Sequence, residues 1–463
     1  MATEEAPPHG DAHSLAHAHR DPRHRVLRAD LPTGAVAAGA ARVPREGAIH
    51  WAEGTSRRVD LRRCAGGQRL RAGHGLGPRV VAASPQSVRR VLVCPQEFKG
   101  TLDPVEAASA IAAGVRAVLP DAEVIELPMA DGGPGTVAIV AQATGARLVR
   151  HEVTGPLGDP VEATYALLER PGEPTLAVIE AASAAGLLLT PVEQRDPTRA
   201  SSVGVGEQIR HAIASGARQV IVGVGGTGTN DGGAGAASVL GLRLLDPAGA
   251  PVPRGGLALV RLARVQANLE DAVRDLDLRI AVDVQNPLLG TSGATAVYGA
   301  QKGVTDWQAG ALNAALARWA ERLRLDLDVD VAGQPGAGAG GGIPTGLLAA
   351  CRRGRIESGA ALVADAIGLR AAIEATDLVI TGEGAMDGQT AYGKSVAHVA
   401  ALAVAGGTPC IAVAGIVEGL PAGILDAEAL AATPADRAAA TPPAAHHTSA
   451  ATARLIHRYL ATR

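Results

Sequence analysis

Apolar residues in this chain fall in short continuous runs, and each run breaks at a glycine-rich or polar loop. Val91-Leu92-Val93-Cys94 is such a run, followed by PQEFKGTL from Pro95 to Leu102. A run of this kind bounded by turn residues predicts a strand buried on both faces. Pro104 then opens an alanine-rich helix to about Val118, with Glu106 in its first turn. Val124 to Leu127 predicts a second strand, leading through MADGGPGT (Met129 to Thr136) into a helix ending near Thr144. Two successive strand–loop–helix units imply a parallel sheet with right-handed crossovers.

The rhythm then changes. Ala146 to Val153, Val161 to Leu168 and Ala177 to Glu180 predict strands joined by Gly/Pro turns, which points to a separate, partly antiparallel unit. In RASSVGVGEQI (Arg199 to Ile209) a helix starts near Gly204 with Glu207 inside it, and Ser201 or Ser202 either caps it or contacts substrate. Further strands are expected at Val220 to Val222, Leu278 to Val282, Leu378 to Thr381 and Cys410 to Ala414. Further helices are expected at Trp307 to Leu323, Val396 to Ala405 and Thr448 to Tyr459. Pro421 to Ala445 is Ala/Pro-rich and reads as loose chain.

Composition narrows the function classes. Of 463 residues 47% are hydrophobic but only 2% aromatic, so the core must come from Ala, Val, Leu and Ile, and little is left for stacking on bases. The net charge of -3 argues against electrostatic capture of nucleic acid. The four cysteines (Cys64, Cys94, Cys351 and Cys410) form no close pair, which disfavours a zinc knuckle or disulfide framework and suits a reduced, cytoplasmic setting. No apolar run is long enough to span a membrane, and the N-terminus lacks the apolar core of a signal peptide. Residues 1–89 differ from the rest: 14 Arg and 8 acidic residues give a formal +6, leaving -9 on the remainder. They read as a disordered basic extension or as translated sequence upstream of the true start. His13 and His17, four apart, have no apolar periodicity around them to support a metal-binding helix.

The candidate chemistry centres on GVGGTGTNDGG, Gly223 to Gly233, between a β-branched run and a small-residue stretch. Six of its eleven residues are glycine, which lets backbone N–H groups converge on an anion at a helix start. Only three lysines occur, Lys99, Lys302 and Lys394, each beside a glycine, in a chain that otherwise uses arginine. A compact ammonium in a tight loop suits phosphate. Lys99, Asp131, Asn230-Asp231, Asp283 and Glu383 all come just after predicted strands, and parallel strands would deliver them to one sheet edge. Nests, lysine and carboxylates together are the equipment for phosphoryl transfer with Mg²⁺. Two pattern matches point elsewhere. Gly223 to Gly228 fits GxGxxG, with Asp246 eighteen positions on, the mark of an NAD-dependent dehydrogenase. Gly388 to Ser395 fits GxxxxGK[ST], but six residues separate it from its strand.

The motifs FKGTL, ADGG-x-GT, ASS-x-GVGE, GVGG-x-x-TNDGG, DV-x-NPL-x-G, QKG, PGAGA-x-GG and TGEG-x-x-D-x-QT-x-x-GK occur in that order. From about Arg90 to Ala414 the chain resembles the bacterial type I glycerate kinases. The resemblance implies an α/β fold of two α/β domains, one flavodoxin-like with a parallel sheet and one with a mixed sheet, and a cleft between them. Residues 90–150 plus 295–463 would form the first and 151–294 the second. It also implies ATP- and Mg²⁺-dependent phosphorylation of D-glycerate, usually at the 2-hydroxyl, by a cytoplasmic enzyme that needs no nucleic acid or membrane, with a homodimer left open. Carried over by position, Lys99, Asp231 and Asp283 would be catalytic, and Arg199, Ser201, Ser202, Asn230 and Asn286 would bind substrate. Gly225, Gly226, Lys302, Glu383 and Lys394 would bind ATP, and Asp131, Asp231 and Asp387 would hold the metal. The chain departs from the family pattern at Gln96-Glu97, where Asp-Ser is usual, at Pro134 for Glu, and at Ala385 for Arg. Competing readings are the dehydrogenase and a nucleotide-binding protein that has lost turnover.

Overall fold

The computed structural model describes residues 88–386, 395–430 and 444–462. His13, His17, Asp387, Lys394 and most of the GxxxxGK[ST] match lie outside the described residues.

Two sheets organise the described chain. The first has five strands: β1 (Arg90–Val93), β2 (Glu123–Glu126), β11 (Leu378–Glu383), β12 (Cys410–Ala414) and β13 (Ala427–Ala429). All of its pairings are parallel, in the order β13-β12-β11-β1-β2. That is the flavodoxin-like arrangement, whose switch point falls between β1 and β11. The second sheet holds β3 (Arg147–Thr154), β4 (Pro160–Leu168), β5 (Leu176–Glu180), β6 (Gln219–Gly223), β9 (Asp277–Ala281) and β10 (Arg355–Glu357). Its order is β10-β9-β6-β5-β4-β3; β4 runs antiparallel to both β3 and β5, and β5, β6, β9 and β10 are parallel to one another. A separate hairpin pairs β7 (Leu242–Leu245) with β8 (Arg264–Ala267).

The period of two along each strand explains the layering. In β1, Val91 and Val93 join a core with the helices Pro104–Val118 and Ala444–Ala461, while Leu92 points to the other face. In β6, Val220 and Val222 face the core made with Trp319, Ile343 and Leu347, whereas Ile221 joins the cluster containing Leu92 and Val379. One apolar layer is therefore shared between the two sheets, and the helices Thr136–Thr144, Gly359–Ile367 and Ser395–Gly406 contribute to it. Burial on both faces makes such central strands mostly apolar, which is why they are legible as short apolar runs.

Most expected elements occur within a few residues of their predicted bounds, including β12 and the helix from Pro104 to Val118. That helix is closed by a capping box: Asp103 accepts from Val105 N and Glu106 N at 2.8 Å, and Glu106 accepts in return from Asp103 N at 3.0 Å. Three differences stand out, and the first two have physical causes. Strand β10 reads Arg-Ile-Glu and carries one apolar residue, so periodicity gives no signal; it is held by a paired bond from Arg279 to Glu357 at 2.8 and 2.9 Å. Strand β13 lies inside the stretch expected to be loose, where Arg458 binds both Asp426 and Glu428. Finally, the six-stranded sheet draws strands from 147–357, whereas the sequence places the inserted unit over 151–294.

Candidate active site

The loop after β2 and the loop after β6 interlock, and this sets the site. A Cβ on Gly223 would lie 2.0 Å from the carbonyl oxygen of Gly132, and one on Gly225 would lie 2.9 Å from Gly133 Cα. Only glycine permits so close an approach of two backbones. Glu180, at the end of β5, accepts from Val137 N at 2.7 Å and so ties the helix after the first loop to the other sheet. Burial raises the Glu180 carboxyl above its ordinary range, with backbone donors opposing the rise. These loops and the end of β9 enclose a cavity of about 380 Å³. Lys99, Asp131, Gly225, Gly226, Asp283 and Lys302 all line it. Two of the three lysines thus reach one space from distant parts of the sequence.

Asp131 and Asp283 form the acidic side. Asp131 Oδ2 accepts from Gln96 Nε2 at 2.7 Å and Oδ1 from Gly133 N at 3.2 Å. Asp283 Oδ1 accepts from Ser358 Oγ and Gly359 N, both at 3.0 Å. Its Oδ2 is buried and has no hydrogen-bond partner. Burial, with the neighbouring charge of Asp131 second, pushes the Asp283 carboxyl up to about 6.

Lys302 forms the basic side. It is 2% exposed, and Nζ donates to Thr229 O at 2.7 Å. Burial lowers its ammonium to about 7, opposed by the charge of Asp231. Room for it is made by Gly340, Gly341 and Gly342, which all have positive φ at the start of the helix Ala339–Ala350. A Cβ on Gly341 would stand 1.9 Å from Thr229 O and 2.9 Å from Lys302 Nζ.

Other expected site residues lie elsewhere or are bound within the fold. Asp231 is 1% exposed, and its carboxylate accepts from Ser202 N at 2.8 Å, Ser202 Oγ at 2.9 Å, Ser201 Oγ at 3.3 Å, Gly233 N at 3.1 Å and Gly235 N at 3.2 Å. It borders a second cavity of about 260 Å³, with Ser201, rather than the main one. Ser202 stands at the N-cap position of the helix Val203–Ala214 but makes no capping bond; its hydroxyl goes to Asp231. Arg199 is exposed beside Gly255. Buried Asn230 donates to Thr295 Oγ1 at 3.0 Å. Asn286 donates to Ser292 O at 2.8 Å and accepts from the hydroxyl of Tyr298 at 2.5 Å, and Tyr298 itself lines the main cavity. Glu383 is buried at the end of β11, beside the switch point. Ser358 is not among the residues that the sequence singles out, and Gln96 is singled out only as a departure from the family pattern, not as a site residue. Gln96 lies within the loop that carries Lys99, whereas Ser358 sits in a stretch with no motif.

The dehydrogenase reading fails on Asp246. Its Oδ1 accepts from Ala248 N and Ala250 N at 2.9 Å, so it closes a turn between β7 and β8 and does not stand at a parallel strand end facing a ribose. Among the described residues no group of three or more His, Cys, Asp or Glu side chains could hold a metal, and no helix is long and apolar enough to cross a membrane.

Comparison with known proteins gives the family of the chain. A family model described as the glycerate kinase family matches residues 91–461. Glycerate kinase of Bacillus subtilis is 40% identical over 329 residues, covering 71% of this chain and 85% of that protein. Glycerate 2-kinase of Escherichia coli is 41% identical over 329 residues, covering 70% and 85%. A crystal structure described as that of a putative glycerate kinase 2 from Salmonella typhimurium superposes with a TM-score of 0.70 at 37% identity, over 81% of this chain and 99% of that one.

Proposed function

The chain belongs to the glycerate kinase family, and from that membership we propose how its cavity phosphorylates glycerate with ATP. We read the acceptor as the 2-hydroxyl of D-glycerate and the product as 2-phosphoglycerate, supported by the likeness to the Escherichia coli relative named for that position. The observation that carries the reading is the buried, unpartnered Oδ2 of Asp283, beside a cavity also lined by Asp131, Lys99 and Lys302.

Mg²⁺ fits beside Asp131. It usually takes one or two carboxylates and completes its shell with phosphate oxygens and water, so a large carboxylate cluster is not required. Burial first, and the charge of Asp131 second, raise the Asp283 carboxyl, and a cation held by Asp131 would relieve that repulsion. Bound there, the ion would neutralise charge on the phosphates. Gln96 and Gly133 N hold Asp131 in place for that task. Ser358 and Gly359 fix Asp283 through Oδ1, leaving Oδ2 to orient the glycerate hydroxyl and accept its proton. Lys99 and the backbone of Gly225 and Gly226 face the transferred phosphoryl group, whose transition state spreads negative charge over its oxygens.

Asp231, expected as a base or metal ligand, is on this reading a support that locks the glycine loop to Ser201 and Ser202. Asn230 and Asn286 act likewise through Thr295 and Tyr298. A reducing, cytoplasmic setting is supported by Cys94, Cys351 and Cys410, all buried free thiols. The test is a coupled assay with ATP, Mg²⁺ and D-glycerate, with the product position read by phosphorus NMR. Phosphate on the 3-hydroxyl would overturn the assigned regiochemistry, and no glycerate-dependent ADP would overturn the reading itself.

A further inference from the structure

Behind Lys302 a small niche of about 10 Å³ shares Lys302 and Leu187 with the main cavity and is also lined by Arg195. That volume holds roughly one water molecule or one carboxylate oxygen. Arg195 is not among the residues that the sequence singles out. Its Nη1 donates to Gln301 O at 3.1 Å, while Nε is buried with no partner. Gly303, next to Lys302, has φ +89°, and a Cβ there would lie 3.2 Å from Arg195 O, so the segments carrying the two residues pack closely against each other. Among the described residues neither cation forms an ion pair. Asp196 also borders the niche, but its Oδ1 accepts from Thr198 N at 3.0 Å and Thr198 Oγ1 at 2.5 Å, inside its own turn.

Two cationic residues thus line one niche, and the buried Nε of Arg195 has no acceptor there; a buried donor left unpaired is costly, and a bound anion would satisfy it. The phosphates belong at the Lys99 end, beside Asp131 and the glycine loop. We propose that Lys302 and Arg195 together receive the carboxylate of glycerate. The proposal rests on the glycerate kinase reading and deepens it. It moves Lys302 from the nucleotide to the acceptor, and it moves carboxylate recognition from Arg199, Ser201 and Ser202 to this niche. With the carboxylate anchored there, the hydroxyls extend into the main cavity toward Asp283.

The test is steady-state kinetics on the purified full chain, comparing wild type with Lys302→Met, Arg195→Gln and Arg195→Lys. The acceptors are D-glycerate and glyceramide, its uncharged carboxamide. Lys302→Met and Arg195→Gln should each raise KM for D-glycerate by about tenfold or more, in line with loss of a charge-assisted bond, while KM for ATP stays within about twofold. The preference for D-glycerate over glyceramide in kcat/KM should fall by a similar factor, and Arg195→Lys should recover part of it. A rise in KM for ATP alone, or an unchanged preference in the folded variants, overturns the proposal. Melting curves establish which variants fold; if Lys302→Met does not, the two Arg195 variants carry the test. Wild type without glycerate-dependent turnover would sink the kinase reading instead.

Discussion

The side-chain amide of Gln96 donates to Oδ2 of Asp131 across 2.7 Å, joining the loop after β1 to the loop after β2. The donor is neutral, and it sits in the loop where the family pattern usually has Asp-Ser. It therefore steadies the Asp131 carboxylate without adding a further negative charge beside it. Gln96→Ala should raise the Mg²⁺ concentration needed for half-maximal activity by about three- to tenfold, the worth of one hydrogen bond to a charged group. Gln96→Leu matching wild type in a magnesium titration would count against this.

Asp283 should matter for the chemical step more than for the fold. Asp283→Asn keeps the size of the side chain but removes the proton acceptor at Oδ2. We expect kcat to fall by about 100-fold or more. The melting temperature should hold or rise, because a buried charge next to Asp131 disappears. A variant that keeps more than about a tenth of wild-type kcat would rule out the assigned role.

Asp231 should behave in the opposite way. Five donors surround its carboxylate, and an amide in its place would turn N–H groups against N–H groups. Asp231→Asn should lose about 3 kcal/mol of stability in chemical denaturation, the scale for breaking a buried charged network. A fully stable but inactive variant would return Asp231 to the catalytic group.

Lys302 predicts a pH dependence of the unliganded protein. Burial lowers its ammonium from 10.5 to about 7 in the folded chain. Between those values the unfolded chain holds a proton that the folded one has shed, so stability rises with pH across the window and is lost as pH falls toward 7. Below about 7 the contribution is flat. Subtracting the curve for Lys302→Met from that of wild type should isolate a slope of up to about 1.4 kcal/mol per pH unit between about pH 8 and 9.5. Parallel curves over that range would show that Lys302 keeps its charge in the unliganded fold.

Much of the site is readable before folding because its parts are local. Lys99, Asp131 and Asp283 each come shortly after an apolar run, and a parallel strand delivers the loop at its end to the sheet edge. Two of the three lysines, Lys99 and Lys302, line one cavity. Ser358 and Arg195 give no such signal. Each depends on which segments pack together: Ser358 reaches Asp283 from a helix start, 75 residues away in sequence, and Arg195 meets the Lys302 segment by chain packing. Asp231 stands in the most suggestive motif of the chain, yet its neighbours absorb its hydrogen-bonding capacity.

Hydrophobic periodicity and ordered motifs were enough to establish an α/β chain, most strands of its parallel sheet and its kinship with glycerate kinases. The first two follow from short-range sterics and burial, which act within a few residues. Which carboxylate keeps an unpartnered oxygen, and which is closed by its neighbours, was decided only by packing. Two sheets sharing one apolar layer, and glycine loops so close that a Cβ on Gly223 would stand 2.0 Å from a carbonyl oxygen, set those partners across distances in sequence that no local pattern records.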